Sequence, residues 1–328
     1  MSASTVSVLT TSVFNDIRSK NVALDNEKDR GTITMTKAIT GVLTAIVTPF
    51  DHQGEFSPTA MRQQVQRQMR YGNGIFCNGT NGEFFVLHTD EKVAVTETCV
   101  DEAAGKVPVV AHIGEISTRE TIKLGKRIAA LGVDAVSVIT PYFVPLKQSE
   151  LIDHYRAVAD ALPVPVFMYN IPARTGNTLQ PETVRVLAEH PNIIGIKDSA
   201  GSYESLSGFL QAVKDMPNCD VLNGPDSLIH QGFVDGCSAC ISGLANVAPQ
   251  AISEIWHRFH AGDIDGSRQA QEQVSELRKT LYAVAFSPAV VKKALVLMGQ
   301  DVGVSRYPIA FSAQDEETIR TIIKPFSQ

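Results

Sequence analysis

With 328 residues, 44% of them hydrophobic and 20% charged, the chain is long enough for one large domain or two ordinary ones, with a sizeable core. Its net charge of −6 leaves no basic excess to neutralise phosphates, which argues against a general nucleic-acid or anionic-membrane binder. The five cysteines (Cys77, Cys99, Cys219, Cys237 and Cys240) are odd in number and scattered, which fits a reducing cytoplasm better than a disulfide framework.

Residues 1–36 differ from the rest. The run from Val6 to Leu9 is too short for a signal-peptide core, and the acidic residues are of a kind that transit peptides avoid. Met35 is a plausible alternative start. We expect a loosely held extension without a part in the chemistry. No later apolar stretch approaches the roughly 20 residues that span a bilayer.

From Gly41 onward, apolar runs alternate with amphipathic stretches. Residues 42–47 read as a strand that stops at Thr48-Pro49, and 58–71 as a helix with Met61, Val65 and Met69 on one face. A strand over 75–77 precedes a helix over 90–104 capped by Thr89. A strand over 107–111 precedes a helix over 117–131 with Ser117 as its cap. Strand 135–139 is followed by helix 149–162, and strand 164–169 by helix 181–190, with proline near its start. Strands over 193–197, 219–222 and 239–241 are followed by helices over 202–213, 227–234 and 249–260. Eight evenly spaced strand–helix units without a composition break favour a (β/α)8 TIM barrel over a doubly wound sheet. The predicted organisation is an α/β barrel over 37–262 with an appended C-terminal helical segment over 263–328.

In such a barrel the chemistry lies at the C-terminal strand ends. The sixth strand ends at Lys197. A lysine there loses hydration, its pKa falls, and a neutral amine can attack a carbonyl to form a Schiff base. The plainer account of such a lysine is one that snorkels to solvent. The second strand ends at Gly79-Thr80-Asn81-Gly82-Glu83, where glycines let backbone N–H groups converge on a carboxylate and Thr80 and Asn81 add donors. A tight turn that needs glycine explains the same residues. Tyr169 ends the fifth strand, one unit before Lys197, and a phenol there can carry the protons of Schiff-base chemistry. Arg174, just beyond, offers a planar fork to a second carboxylate or a polyhydroxy acid, or is simply a solvated loop arginine. Together these groups form a working set in which a 2-oxo acid condenses with lysine, becomes an enamine and adds to an aldehyde, or the reverse.

Three stretches, Gly79-Thr80-Asn81-Gly82-Glu83, Tyr169-Asn170-Ile171-Pro172-Ala173-Arg174-Thr175-Gly176 and Ile194-Gly195-Ile196-Lys197-Asp198, resemble the signatures of the dihydrodipicolinate synthase / N-acetylneuraminate lyase family. The resemblance covers the chain from about Gly41 nearly to the end. It implies a pyruvate-dependent class I aldolase or synthase that needs no cofactor beyond the covalent Schiff base. Lys197 would be the Schiff-base lysine, Tyr169 the proton shuttle, and Thr80 a residue of both catalysis and binding. Asn81, Gly79 and Ile241 would join Thr80 at the pyruvate, and Arg174 would bind the acceptor. Small-molecule partners (pyruvate and an aldehyde) and a homotetramer or homodimer also follow. Two departures bear on the subfamily. Asn81 stands where the synthase branch has a second threonine, and Phe143 stands where it has a tyrosine that crosses a subunit interface. Phenylalanine cannot pass a proton, so Tyr142 or water substitutes, or the protein is not a true synthase. Phe84, Phe85, Thr89, Lys92 and Ile116 occupy the positions of a feedback-lysine site but with other residue types, which implies no lysine inhibition and a catabolic role. Asn81 with Phe84 resembles the sugar-acid and hydroxy-oxoglutarate aldolase branches.

Other candidates are weaker. Cys237-Ser-Ala-Cys240 is a single CxxC without a second ligand pair, so buried packing is its better account. His257 and His260 read as a solvated helix face, and His112 as a packed histidine at the third strand end. Asp198 points away from Lys197 by strand alternation and makes a structural hydrogen bond. Glu83 props the loop through its own backbone. A metal-dependent aldolase, a pyridoxal-phosphate enzyme and a non-catalytic binding barrel are the rival functions.

Overall fold

The apolar runs become strands because each is short, rich in branched residues and closed by turn chemistry. The computed structural model describes residues 39–327; the extension expected over 1–36 lies outside the described residues. The elements alternate as β1 (Gly41–Ala45), α1 (Pro58–Met69), β2 (Gly74–Cys77), α2 (Thr89–Ala103), β3 (Val109–His112), α3 (Thr118–Ala129), β4 (Ala135–Ile139), α4 (Gln148–Ala161) and β5 (Val166–Asn170). The chain continues through a short α5 (Pro172–Thr175), then α6 (Pro181–Ala188), β6 (Ile193–Asp198), α7 (Tyr203–Val213), β7 (Asp220–Asn223), α8 (Ile229–Asp235), β8 (Ala239–Ser242) and α9 (Pro249–His260). All eight strands pair in parallel in chain order, and β8 returns to β1, with Leu43 opposite Ile241. Closure removes both sheet edges and excludes the doubly wound alternative.

Strand alternation sorts the side chains. Leu43, Phe76, Val110, Ala135, Phe167, Leu222, Ala239 and Ile241 fill the barrel interior. The opposite faces, including Ile75, Val109, Val136, Met168 and Ile196, pack under the helix ring. Each fully buried aliphatic or aromatic side chain contributes roughly 1.5–3 kcal/mol, so the two shells form the bulk of the core.

Three further helices, α10 (Ile264–Tyr282), α11 (Ser287–Leu297) and α12 (Ala313–Ile323), follow the barrel. Val274, Leu281, Val290 and Leu295 bury one face of this segment with Val42, Val47 and Cys240. No single helix among the described residues is long and apolar enough to cross a membrane.

Two expected caps differ in detail. His88, not Thr89, is the residue before α2, and its N–H donates to Glu91 Oε2 at 2.9 Å. Ser117 precedes α3 as expected, but its side chain makes no capping bond; its carbonyl accepts from Thr121 Oγ1 at 3.1 Å instead. The short α5, begun by Pro172, is a single turn of four residues, too short to show a helical period in the sequence.

Candidate active site

Alternation along β6 sends Gly195 and Lys197 inward and Asp198 outward. Gly195 is required there: a Cβ would lie 2.7 Å from Phe167 Cε1 and 2.4 Å from Asp220 O. The Phe167 ring fills that space in the barrel interior. Lys197 is 4% exposed. Its Nζ stands 4.1 Å from the Tyr169 ring centroid and 4.2 Å from that of Phe76. Burial lowers its pKa; the Tyr169 phenol and the Asp226 carboxylate oppose that shift. The barrel thus holds an amine with weakened affinity for its proton in a mostly apolar cup.

Tyr169 is the direct register partner of Lys197, because β5 and β6 are neighbours. Its hydroxyl lies 3.2 Å from Thr80 Oγ1, which ties the end of β5 to the loop after β2. Three bonds shape that loop. Thr48 Oγ1 donates to Gly82 O at 2.7 Å, Glu83 N–H to Thr80 O at 3.1 Å, and Asn78 Nδ2 to Lys92 O at 2.9 Å. The second bond is the backbone prop expected of Glu83. Gly79 is demanded by close approach, since a Cβ there would sit 2.5 Å from Phe76 Cε1. Asn81 is half-buried, its Oδ1 has no hydrogen-bond partner among the described residues, and its Nδ2 faces Gly243, where a Cβ would come within 2.8 Å.

Ile241 is buried in the same interior cluster as Tyr169. Arg174 lies on α5, exposed, with its guanidinium 4.5 Å from the Phe286 ring centroid and no ion-pair partner among the described residues. The weaker candidates take their plainer roles. Asp198 accepts from Asn170 Nδ2 at 2.8 Å and Ala200 N–H at 3.1 Å on the outer face. His112 is buried with its Nδ1 3.0 Å from Ser137 O, and burial pushes its pKa down to about 3, so it is neutral. Cys237 and Cys240 are buried thiols, and His257 and His260 are exposed on α9.

Two features escaped sequence reasoning. The Phe76 ring, seen there only as part of a strand, forms one wall around the lysine. Asp226, in the turn after β7, is buried and accepts from Ser242 Oγ, Leu244 N–H at 3.3 Å and Tyr282 Oη at 3.1 Å. Its signal was an aspartate just past a strand end, after Gly224-Pro225, but Tyr282 comes from the far end of α10 with no local cue.

Residues 38–325 match the model of the dihydrodipicolinate synthetase family. The chain belongs to that family. A 4-hydroxy-tetrahydrodipicolinate synthase of Geobacter metallireducens is 36% identical over 87% of this chain and 98% of its own. The chloride-inhibited dihydrodipicolinate synthase of Acinetobacter baumannii, solved with pyruvate, superposes with a TM-score of 0.83 at 32% identity, covering 88% of this chain and 98% of that one. A prophage protein of the same family from E. coli K12, also solved with pyruvate, gives 0.84 at 28% identity, covering 88% and 99%. As a member of the dihydrodipicolinate synthase family, the protein is a lyase of the class I aldolase type.

The departures from the family pattern have definite places. Phe143, in the loop after β4, is 91% exposed with φ 76°, a left-handed backbone that a phenylalanine rarely adopts. Tyr142 is half-buried edge-on against Phe84, with ring centroids 5.9 Å apart. Phe84 also packs on His112 at 4.7 Å, while buried Lys92 forms an ion pair with half-buried Glu115. Phe85, Thr89 and Ile116 are exposed.

Proposed function

We propose that Lys197 forms a Schiff base with pyruvate and that the protein joins the resulting enamine to an aldehyde, in the manner of a 4-hydroxy-tetrahydrodipicolinate synthase. The observation that carries this reading is the buried Lys197 amine set against Tyr169, whose hydroxyl meets Thr80. The lone pair of Nζ attacks C2 of pyruvate to give a carbinolamine. Loss of water gives an iminium, and loss of a C3 proton gives the enamine. The enamine carbon then bonds to the aldehyde carbon, the oxygen of which takes up a proton, and water releases the lysine. Tyr169 carries protons between the lysine-bound carbon centre and the Thr80 hydroxyl. Thr80, Asn81 and the backbone of Gly79 bind the pyruvate carboxylate, and Ile241 lines the apolar side of the pocket. Arg174, which has no carboxylate partner among the described residues, takes the acidic end of the acceptor. The chemistry needs no cofactor besides the covalent adduct. Family membership and five buried free thiols support a cytoplasmic homotetramer or homodimer.

A second reading has its own support. The solvent-facing Phe143 supplies no hydroxyl, and Asn81 with Phe84 resembles the aldolase branches of the family in sequence. This favours cleavage of 2-keto-3-deoxy sugar acids or 4-hydroxy-2-oxoglutarate. A panel decides between them: pyruvate consumption with aldehydes, including aspartate semialdehyde, and pyruvate release from 2-oxo-3-deoxy acids. Turnover of aspartate semialdehyde supports the synthase reading. Turnover of the oxo acids alone moves the protein to the second. No turnover and no pyruvate adduct leave a non-catalytic barrel and overturn both.

A further inference from the structure

The side chain of Glu83 leaves the pyruvate-binding loop and enters the C-terminal segment. Its backbone is left-handed, with φ 58°, a conformation that a glutamate keeps only when its surroundings hold it. The carboxylate is fully buried. Oε1 accepts from Lys292 Nζ at 2.7 Å, and Oε2 from the Arg306 N–H at 3.1 Å. Lys292, on α11, is 1% exposed, donates also to Val304 O at 3.3 Å and stands 3.8 Å from the Phe50 ring centroid. The Arg306 guanidinium is fixed in turn by Gly54 O at 2.7 Å and by both Glu91 oxygens at 2.9 and 2.6 Å. Burial pushes the Lys292 pKa down to about 8, against the attraction of Glu83 and with the repulsion of Arg306.

A buried ion pair is a poor source of stability, because desolvation rivals the attraction. What it supplies is direction. From Lys292 the chain of contacts runs to Glu83, through the Glu83 N–H to Thr80 O, and from Thr80 Oγ1 to Tyr169. We infer that Glu83, Lys292 and Arg306 are positioning residues, through which the C-terminal segment holds Thr80 and Asn81 in their ligand-facing geometry. The inference rests on the reading of that loop as the pyruvate carboxylate site.

Glu83→Gln leaves the Lys292 cation buried and unpaired and endangers folding, so the decisive variant is the double Glu83→Gln/Lys292→Met, which removes both charges at similar volume. Two readouts are taken: amide hydrogen exchange in the ligand-free protein, and the steady-state constants for pyruvate. Exchange across residues 78–84 should accelerate on the order of tenfold, with the β4 and β5 amides unchanged. The KM for pyruvate should rise on the order of tenfold or more, while kcat falls less. Unchanged loop exchange, an unchanged KM, or equal acceleration in every strand overturns the inference. A wild-type protein that forms no pyruvate adduct sinks the pyruvate reading instead, and the exchange comparison then decides alone whether the network holds the loop.

Discussion

Gly79→Ala tests how closely the lysine cup is fitted. The new Cβ would lie 2.5 Å from Phe76 Cε1 and 3.0 Å from Cδ1. Carbon atoms rest at about 3.5–4.0 Å, so the ring must retreat by about 1 Å. Phe76 is fully buried and cannot move freely, and its ring centroid is 4.2 Å from Lys197 Nζ. Overpacking of this kind costs about 1–3 kcal/mol. Removing a glycine returns about 0.4–1 kcal/mol through the unfolded chain, since Gly79 does not need a positive φ. The net loss lies between about 0 and 2.6 kcal/mol and centres on about 1.3 kcal/mol, or roughly 3–5 °C in Tm for a large domain. The functional loss should be larger, because a 1 Å misplacement of reacting groups costs on the order of 10²-fold. Gly74→Ala is the matched control. Its Cβ would also be crowded, though less closely, 2.9 Å from Pro108 Cγ and 3.0 Å from Leu43 Cγ, and at the opposite end of β2. Thermal melts and kcat/KM for pyruvate should show both variants destabilised and only Gly79→Ala catalytically impaired. Equal kcat/KM losses, or a wild-type Gly79→Ala enzyme, would refute the reasoning.

Tyr169→Phe keeps the ring over Lys197 and deletes the hydroxyl that meets Thr80; turnover should fall on the order of 10²-fold or more, and a wild-type rate would remove the proton role. Arg174→Ala should raise the KM for an acidic acceptor far more than that for pyruvate, and equal effects on both would contradict the assignment. Because burial depresses the Lys197 pKa, the unfolded chain holds a proton that the folded one has released, over the window from that lowered value up to about 10.4. Stability of the wild type relative to Lys197→Met should therefore rise with pH through that window. A difference between the two proteins that does not change with pH in denaturant titrations would count against a depressed amine.

The barrel was legible because each strand is a short branched run closed by turn residues, and eight such units leave little choice of topology. Lys197 and Tyr169 were legible together for the same reason, as consecutive parallel strands place their ends in register. Asp198 took its packed role because strand alternation turns it out of the barrel, whereas alternation keeps His112 on the inner side, its ring centroid 5.9 Å from that of Tyr169, where it packs as a buried, neutral histidine. What stayed hidden depends on distance along the chain. Nothing near Glu83 announces Lys292, 209 residues away, and nothing near Asp226 announces Tyr282. The crowding of Gly79 on Phe76 was equally invisible, since it arises from the curl of one loop over its own strand.

The central claim is a covalent bond between Lys197 and pyruvate. Borohydride reduction in the presence of pyruvate, followed by peptide mass analysis, tests it most directly. The account predicts a reduced pyruvyl adduct on the Lys197 peptide, absent without pyruvate and absent in Lys197→Ala. An unmodified Lys197 peptide, or an adduct carried by another lysine, would contradict it.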